Sequence, residues 1–198
     1  MKQLLLDIKP PAPTTLQNFV VGRNAEAVAA LTNNARPQFI YLWGEKGSGK
    51  SHLLSACKAL GMRFADDVHL LDSNAQIALF NEYNKLKDSG SFLITAGLHA
   101  PAQMGLRDDL ATRLAWGLVY QLHSLNDDEK AQALKQHAAE RGILLPSEVV
   151  DYCLRYLRRD LPTLMTTLDA LDEWSLVTKK PVTVPMLKKL LQLNLDID

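Results

Sequence analysis

The chain has 198 residues, of which 47% are hydrophobic, and it balances 22 basic against 22 acidic residues. This size suits one α/β domain with a small second lobe, and the zero net charge argues against a protein that coats nucleic acid by charge alone. Cys57 and Cys153 each lie in an apolar helical pattern, so we expect two buried free thiols and a reducing, cytoplasmic location. No stretch approaches the ~18 apolar residues of a membrane span.

Residues 1–13 are predicted to form an arm and linker. Pro10, Pro11 and Pro13 exclude a helix there and favour an extended spacer. The apolar stretch before them is too short for a secretory signal, and Asp7 interrupts it. It is either a binding peptide or a short stub that packs on the body of the protein.

Residues 14–124 alternate between helical and strand patterns. After a helix near 24–32, strands are predicted at 38–43, 62–65, 91–95 and 118–122, with helices at 49–60, 74–87 and 107–115 between them. This alternation predicts an α/β fold with a parallel sheet. The short segment between Ser51 and Asp66 leaves room for one helix and no extra strand–helix pair, so we expect a reduced sheet of four strands.

Residues 125–198 are predicted to form a small helical lid domain. Asn126 and Glu129 suit a capping arrangement at the start of its first helix. Pro146, Pro162 and Pro185 each open a further helix with an apolar face.

A complete phosphate-binding loop lies between the first strand and the next helix. Its residues are Gly44, Glu45, Lys46, Gly47, Ser48, Gly49, Lys50 and Ser51. The glycines let backbone N–H groups face phosphate oxygens, Lys50 reaches the phosphates, and the Ser51 hydroxyl binds Mg²⁺. The alternative is a chance match in a glycine-rich turn.

Three further polar residues follow predicted strands. Asp66 suits the second magnesium ligand, and Asp67 stands where a catalytic ATPase of this kind carries Glu. Thr95, which is predicted to end the third strand, could sense the γ-phosphate. The alternatives are a surface Asp pair that caps the next element and an ordinary β-branched strand residue.

Several motifs together resemble the AAA+ domain of the replication initiator DnaA. The segments are Asn18-Phe19-Val20-Val21-Gly22-Arg23-Asn24, the P-loop, Asp66-Asp67-Val68-His69-Leu70-Leu71 and Arg113-Leu114-Ala115-Trp116-Gly117-Leu118, in order over roughly 14–193. Two features favour the short, Hda-like members of this DnaA-related family. The sequence stops soon after the lid, without residues for a helix-turn-helix domain. The arm peptide Gln3-Leu4-Leu5-Leu6-Asp7-Ile8 is similar to the one by which Hda-like proteins bind the DNA polymerase sliding clamp.

The resemblance implies a regulator of DNA replication initiation that binds ADP or ATP with Mg²⁺. The implied nucleotide contacts are Val20, Val21, Gly44, Glu45, Lys46, Gly47, Ser48, Gly49, Lys50, Ser51, His52, Asp66, Asp67 and Thr95, with Ser51 and Asp66 on the metal. Gln3, Leu4, Leu6 and Ile8 are expected to bind the clamp, the beta subunit of DNA polymerase III, so that DNA is reached only indirectly.

The resemblance also implies that Arg113 acts as an arginine finger in trans on ATP bound to DnaA, which inhibits re-initiation. Without the resemblance, Arg113 would be interpreted as a helical residue that is either solvated or paired with a nearby Asp such as Asp109. The resemblance further implies that the ATPase activity of the protein itself is weak or absent. A homo-oligomer is a further option. The alternatives are a DnaA-like accessory or recruitment factor without hydrolysis-stimulating activity and a free-standing P-loop ATPase or kinase.

The chain departs from the family pattern in three places. It lacks a strand and a helix before Asp66. Pro162 stands at the expected sensor II position, where the family has Arg, and Arg158 and Arg159 are near but out of register. Thr95-Ala96-Gly97 lacks the usual acidic residue of sensor 1.

Overall fold

The computed structural model describes residues 14–33, 37–157 and 160–195. Gln3, Leu4, Leu6 and Ile8, together with Arg158 and Arg159, lie outside these residues. The described chain divides into an α/β unit up to Leu125 and a helical unit from Asn126. Within the described ranges, no helix has the length and apolar character that crossing a membrane requires.

The α/β unit is built on a sheet of four parallel strands. The strands are β1 (Phe39–Trp43), β2 (Arg63–Ala65), β3 (Leu93–Gly97) and β4 (Leu118–Gln121), in the order β2-β3-β1-β4. The predicted α/β fold with a reduced parallel sheet is confirmed. The helix after the P-loop leads directly into β2, and the described residues contain no strand between them.

Helices cover both faces of this sheet. They are α1 (Ala25–Thr32), α2 (Lys50–Ala59), α3 (Ser73–Ser89) and α4 (Asp108–Trp116). Ile40 and Leu42 of β1 pack in one core with residues of α1 and α2, whereas Tyr41 packs in a second core with residues of α3 and α4. Because both faces of β1 are buried, its sequence is a continuous apolar run.

The bounds of the third strand differ from the sequence prediction. The expectation that Thr95 ends this strand is wrong, because β3 continues through Ala96 to Gly97 with every residue buried. Gly97 permits this close packing, since a Cβ atom there would overlap the Tyr41 hydroxyl. Thr95 therefore lies in the middle of β3, opposite Tyr41 of β1.

The helical unit contains α5 (Asp127–Glu140), α6 (Ser147–Tyr156), α7 (Leu161–Thr178) and α8 (Val184–Leu195). The predicted cap of α5 is confirmed as a capping box, with the Asn126 Oδ1 accepting from the Glu129 N–H at 2.8 Å and the Glu129 Oε2 accepting from the Asn126 N–H at 2.8 Å. The apolar faces of the helices, including Cys153, form one core. Cys57 and Cys153 are both buried and neither forms a disulfide, as expected.

Candidate functional site

The P-loop joins the end of β1 to the start of α2 in a backbone conformation that requires glycine. Gly47 and Gly49 have φ angles of 86° and 95°, a region that residues with a Cβ rarely adopt. A Cβ on Gly49 would also lie 2.6 Å from the Phe19 ring, whereas nothing lies within 4 Å of one on Gly47. The loop is thus packed against the protein at Gly49 and open beside Gly47.

Lys50 is a buried cation at the start of α2. Lys50 is only 9% exposed. Its Nζ donates to the carbonyl oxygens of Gly44 at 2.6 Å and Glu45 at 3.0 Å. Burial lowers the pKa of the Lys50 ammonium, while the carboxylates of Asp66 and Asp67 act in the opposite direction. The ammonium is therefore held at the loop by hydrogen bonds that an anionic ligand could supplement.

The structure brings Ser51 and Asp66 together. The Ser51 hydroxyl donates to the Asp66 Oδ2 at 2.9 Å, and the Asp66 Oδ1 accepts from the Asp67 N–H at 2.8 Å. Asp66 follows the carboxyl end of β2, which places its carboxylate next to the first turn of α2. Asp67 is exposed, and its φ of 47° turns the chain into a short 3₁₀ helix at Val68–Leu70. A hydroxyl and a carboxylate in contact are hard oxygen ligands of the kind that Mg²⁺ takes.

One polar atom of the loop is buried without a partner. The Ser48 hydroxyl has no hydrogen bond, although Ser48 is only 4% exposed. A buried hydroxyl in that state is costly, and a phosphate oxygen at the loop would satisfy it. Together with the Lys50 ammonium and the Ser51–Asp66 oxygens, this hydroxyl makes the site fit a nucleotide phosphate with Mg²⁺.

The described residues contain no group of three or more His, Cys, Asp or Glu side chains that could hold a metal ion by themselves.

The segment before α1 is fixed beside the start of α2. His52 Nε2 lies 3.0 Å from the Thr15 carbonyl oxygen and 3.1 Å from the Asn18 Oδ1, and the Phe19 ring meets the His52 ring edge-on at 5.4 Å between centroids. Val20 is half-buried and Val21 is 36% exposed. Val20 and Val21, which are expected to contact the nucleotide, thus lie on this segment, which we call the strap (residues 14–24). His52 holds the strap beside the P-loop helix.

Three other predicted contacts differ in exposure. Glu45 and Lys46 are exposed on the loop. Thr95 is 3% exposed inside β3, so its hydroxyl is part of the sheet interior.

Arg113 lies on the last turn of α4 and packs on aromatic rings. Its guanidinium carbon is 3.9 Å from the centroid of the Trp116 ring and 5.6 Å from that of Phe80. Within the described part of the chain, Arg113 makes no hydrogen bond or ion pair with another side chain. The alternative pairing with Asp109 is wrong, because Arg107 binds Asp109 through two hydrogen bonds, of 2.9 and 3.1 Å.

The rings beneath Arg113 were not foreseen. Trp116 is 55% exposed, and the Lys87 Nζ also lies 4.6 Å from its centroid. A signal was available in the sequence, since Trp116 follows Arg113 by three positions and so shares its helix face.

Sequence reasoning also missed Asn24, a buried side chain that exchanges hydrogen bonds of 3.0 and 2.7 Å with the backbone of His123 after β4.

The helical unit and the whole fold match known proteins. Residues 127–191 match the family described as the lid domain of Hda. Domain III of the replication initiation protein DnaA from Thermotoga maritima has a TM-score of 0.69 at 21% identity, covering 93% of this chain and 98% of that one. DnaA from Aquifex aeolicus, solved with AMPPCP bound, has a TM-score of 0.63 at 23% identity over 83% of this chain and 65% of that one.

A third similar structure shows how widely this architecture is shared. The Holliday junction branch migration motor RuvB of Thermotoga maritima has a TM-score of 0.62 at 13% identity, covering 91% of this chain and 72% of that one. At these identities the likenesses concern fold, and the lid match is what separates this chain from other proteins of the same architecture. Residues 127–191 therefore match an Hda-type lid, and the fold of the chain is similar to that of DnaA domain III.

Proposed function

We propose that this chain is an Hda-like regulator of replication initiation that promotes ATP hydrolysis by DnaA and so restrains re-initiation in the cytoplasm. The observation that carries the proposal is the Hda-type lid on a DnaA-like fold that also carries a complete P-loop. The chain acts as an adaptor, and its own nucleotide has a structural role.

The P-loop would hold the phosphates of ADP or ATP through its backbone N–H groups, the Ser48 hydroxyl and the Lys50 ammonium. Ser51 and Asp66 would hold Mg²⁺, which neutralises phosphate charge when it is bound. Val20, Val21 and His52 lie on or beside the strap and would contact the rest of the nucleotide. Asp67 in place of Glu gives the chain a shorter carboxylate for orienting water, so we expect its own hydrolysis to be slow.

Arg113 supplies the activity toward DnaA in this proposal. Phosphoryl transfer spreads negative charge over the oxygens of the transferred group, and a guanidinium from another subunit stabilises that charge. Arg113 suits this role because no carboxylate of the described residues neutralises it. The Trp116 ring at 3.9 Å supports the planar guanidinium while leaving its N–H groups free to donate.

The N-terminal peptide would recruit the protein to the beta sliding clamp through Gln3, Leu4, Leu6 and Ile8. Short peptides bind through a few apolar anchors, and the proline-rich linker after this one gives it reach. In this mode of recruitment, the protein reaches DNA indirectly, through the clamp. A second copy of the chain is a further possible partner for the Arg113 surface.

The proposal is tested by measuring ATP turnover on DnaA in the presence of this protein, with and without clamp loaded on DNA. We expect faster turnover that depends on the loaded clamp. Binding to DnaA without any acceleration would favour the accessory-factor alternative. Turnover of ATP by this protein alone would favour a free-standing ATPase.

A further inference from the structure

One stretch of the lid concentrates positive charge in a chain whose net charge is zero. Residues 174–195 contain Lys179, Lys180, Lys188 and Lys189 and no Asp or Glu. None of these four ammonium groups forms an ion pair or a hydrogen bond with a carboxylate of the described residues. The charge of this stretch is therefore open to an external anion.

The same stretch lines a groove of about 460 Å³ between the end of α7 and the start of α8. Its walls are the Trp174 ring, the Met186 side chain and two prolines, and its cations are Lys180 and Lys189. No acidic side chain lines it. The groove thus places an aromatic ring and other apolar side chains beside two positive charges.

Hydrogen bonds fix the turn that shapes this groove. The Ser175 hydroxyl donates to the Lys180 carbonyl oxygen at 2.6 Å, and the Lys180 N–H donates to the Ser175 carbonyl oxygen at 3.2 Å. Lys179 between them has a φ of 53°, a conformation that glycine adopts at lower cost. The turn beside the groove is therefore held by hydrogen bonds of the protein itself.

Two adjacent lysines of α8 each lie near an aromatic ring of another helix. The Lys189 Nζ lies 5.9 Å from the Trp174 centroid, and the neighbouring Lys188 Nζ lies 5.4 Å from that of Tyr152. The Tyr152 ring in turn contacts that of Tyr156, which is 63% exposed. Two cation–ring pairs on adjacent residues extend the surface beyond the groove itself.

We propose that this lid surface binds single-stranded nucleic acid. Phosphates would meet the lysine ammonium groups, and an unstacked base would lie on the Trp174 ring, which is the combination that single-strand binding surfaces use. Lysine provides point charges that suit phosphate oxygens, and among the described residues that line the groove there is no arginine, whose planar fork best matches a carboxylate. An acidic peptide is therefore the less favoured occupant.

The test is fluorescence anisotropy of a labelled single strand of about 16 nucleotides, a length at the upper end of such binding sites. The full chain is titrated without DnaA, clamp or added nucleotide, so the outcome is independent of the proposed function. We expect the wild type to bind and the Lys180→Gln/Lys189→Gln variant to lose about tenfold in affinity. The slope of log affinity against log salt should fall by about 1.4, since each phosphate contact contributes about 0.7.

The matched control removes two exposed lysines elsewhere, Lys85→Gln/Lys135→Gln, and should bind like the wild type. Trp174→Leu should lose about tenfold through lost stacking while the salt slope stays the same, and its fold is checked by circular dichroism. Equal loss in the groove and control variants would overturn the inference, because generic charge would then explain binding. So would a wild type that binds duplex as tightly as single strand, or one that binds an acidic peptide and no single strand.

Discussion

Carbonyl oxygens of the loop accept hydrogen bonds from the Lys50 ammonium, which would also donate to a bound phosphate. Lys50→Ala removes the only buried ammonium that the described residues place at the loop, so we expect the rise in melting temperature caused by ADP with Mg²⁺ to disappear. For the wild type, ligand at 100 times its dissociation constant stabilises the fold by about 2.7 kcal/mol. Differential scanning fluorimetry measures both proteins.

The control for this prediction is Lys46→Ala, which removes an exposed lysine from the same loop and should retain most of the shift. A Lys50→Ala protein that is stabilised as much as the wild type would show that the loop binds nucleotide in some other way. If neither ADP nor ATP raises the melting temperature of the wild type, nucleotide binding itself is excluded.

The two cysteine thiols are expected to be unreactive in the folded protein. Burial raises the pKa of the Cys153 thiol to about 11, so almost none of it is thiolate at pH 8, and Cys57 is fully buried. A chromogenic disulfide reagent should therefore titrate no thiol in the native protein and both thiols in denaturant. The fraction of Cys153 thiolate should increase only as the pH approaches 11. Rapid labelling of either thiol at pH 8 under native conditions would contradict the packing of the cores.

At the scale of elements, the capping box of α5 gives a measurable contribution to the lid. Asn126→Ala removes the side chain that accepts from the Glu129 N–H, and the expected loss is about 1 kcal/mol in the free energy of unfolding. Asn126→Gly serves as the matched control, because glycine at a cap costs only a few tenths of a kcal/mol. Urea denaturation followed by circular dichroism compares the three proteins, and equal stability of all three would contradict the role of the cap.

Most elements were predictable because their signals are local. The strand before the P-loop, the helix after it and the proline-opened helices of the lid follow from apolar periodicity and punctuation by Gly and Pro. The contact of Ser51 with Asp66 was also predictable, since the carboxyl ends of parallel strands meet at one edge of a sheet. The reduced sheet followed from the short segment between these two residues.

Other features depended on contacts that no local pattern specifies. Asp109 and Trp116 both lie about one helical turn from Arg113, and the choice between them was decided by Arg107, which binds Asp109. Thr95 appeared to end its strand because the small residues Ala96 and Gly97 follow it. The close approach of Gly97 to the Tyr41 hydroxyl is a tertiary contact, and β3 continues two residues past Thr95.

At the scale of the whole molecule, we expect the arm and the Arg113 surface to have separable roles. Replacing Gln3 and Leu4 with Ala should abolish capture by immobilised sliding clamp, because short peptides lose their affinity with their anchors. The melting temperature should stay the same. Lys9→Ala, which alters the arm outside the peptide, is the control. Undiminished clamp binding by a variant that lacks residues 1–9 would rule out this mode of recruitment.

The central claim is that Arg113 completes an active site on a partner. The guanidinium rests on the Trp116 ring and is not needed for an ion pair, so Arg113→Ala should keep the fold, the bound nucleotide and clamp binding. Arg113→Lys keeps the charge but loses the planar fork of donors, and it should fail as well.

The most direct measurement is single-turnover hydrolysis of ATP on DnaA with clamp-loaded DNA and either wild-type protein or Arg113→Ala. Arginine fingers contribute on the order of 10³–10⁵ in rate, so the account predicts that Arg113→Ala loses the stimulation given by the wild type. If Arg113→Ala stimulates hydrolysis as much as the wild type, Arg113 is not an arginine finger for DnaA. The protein would then be a recruitment factor.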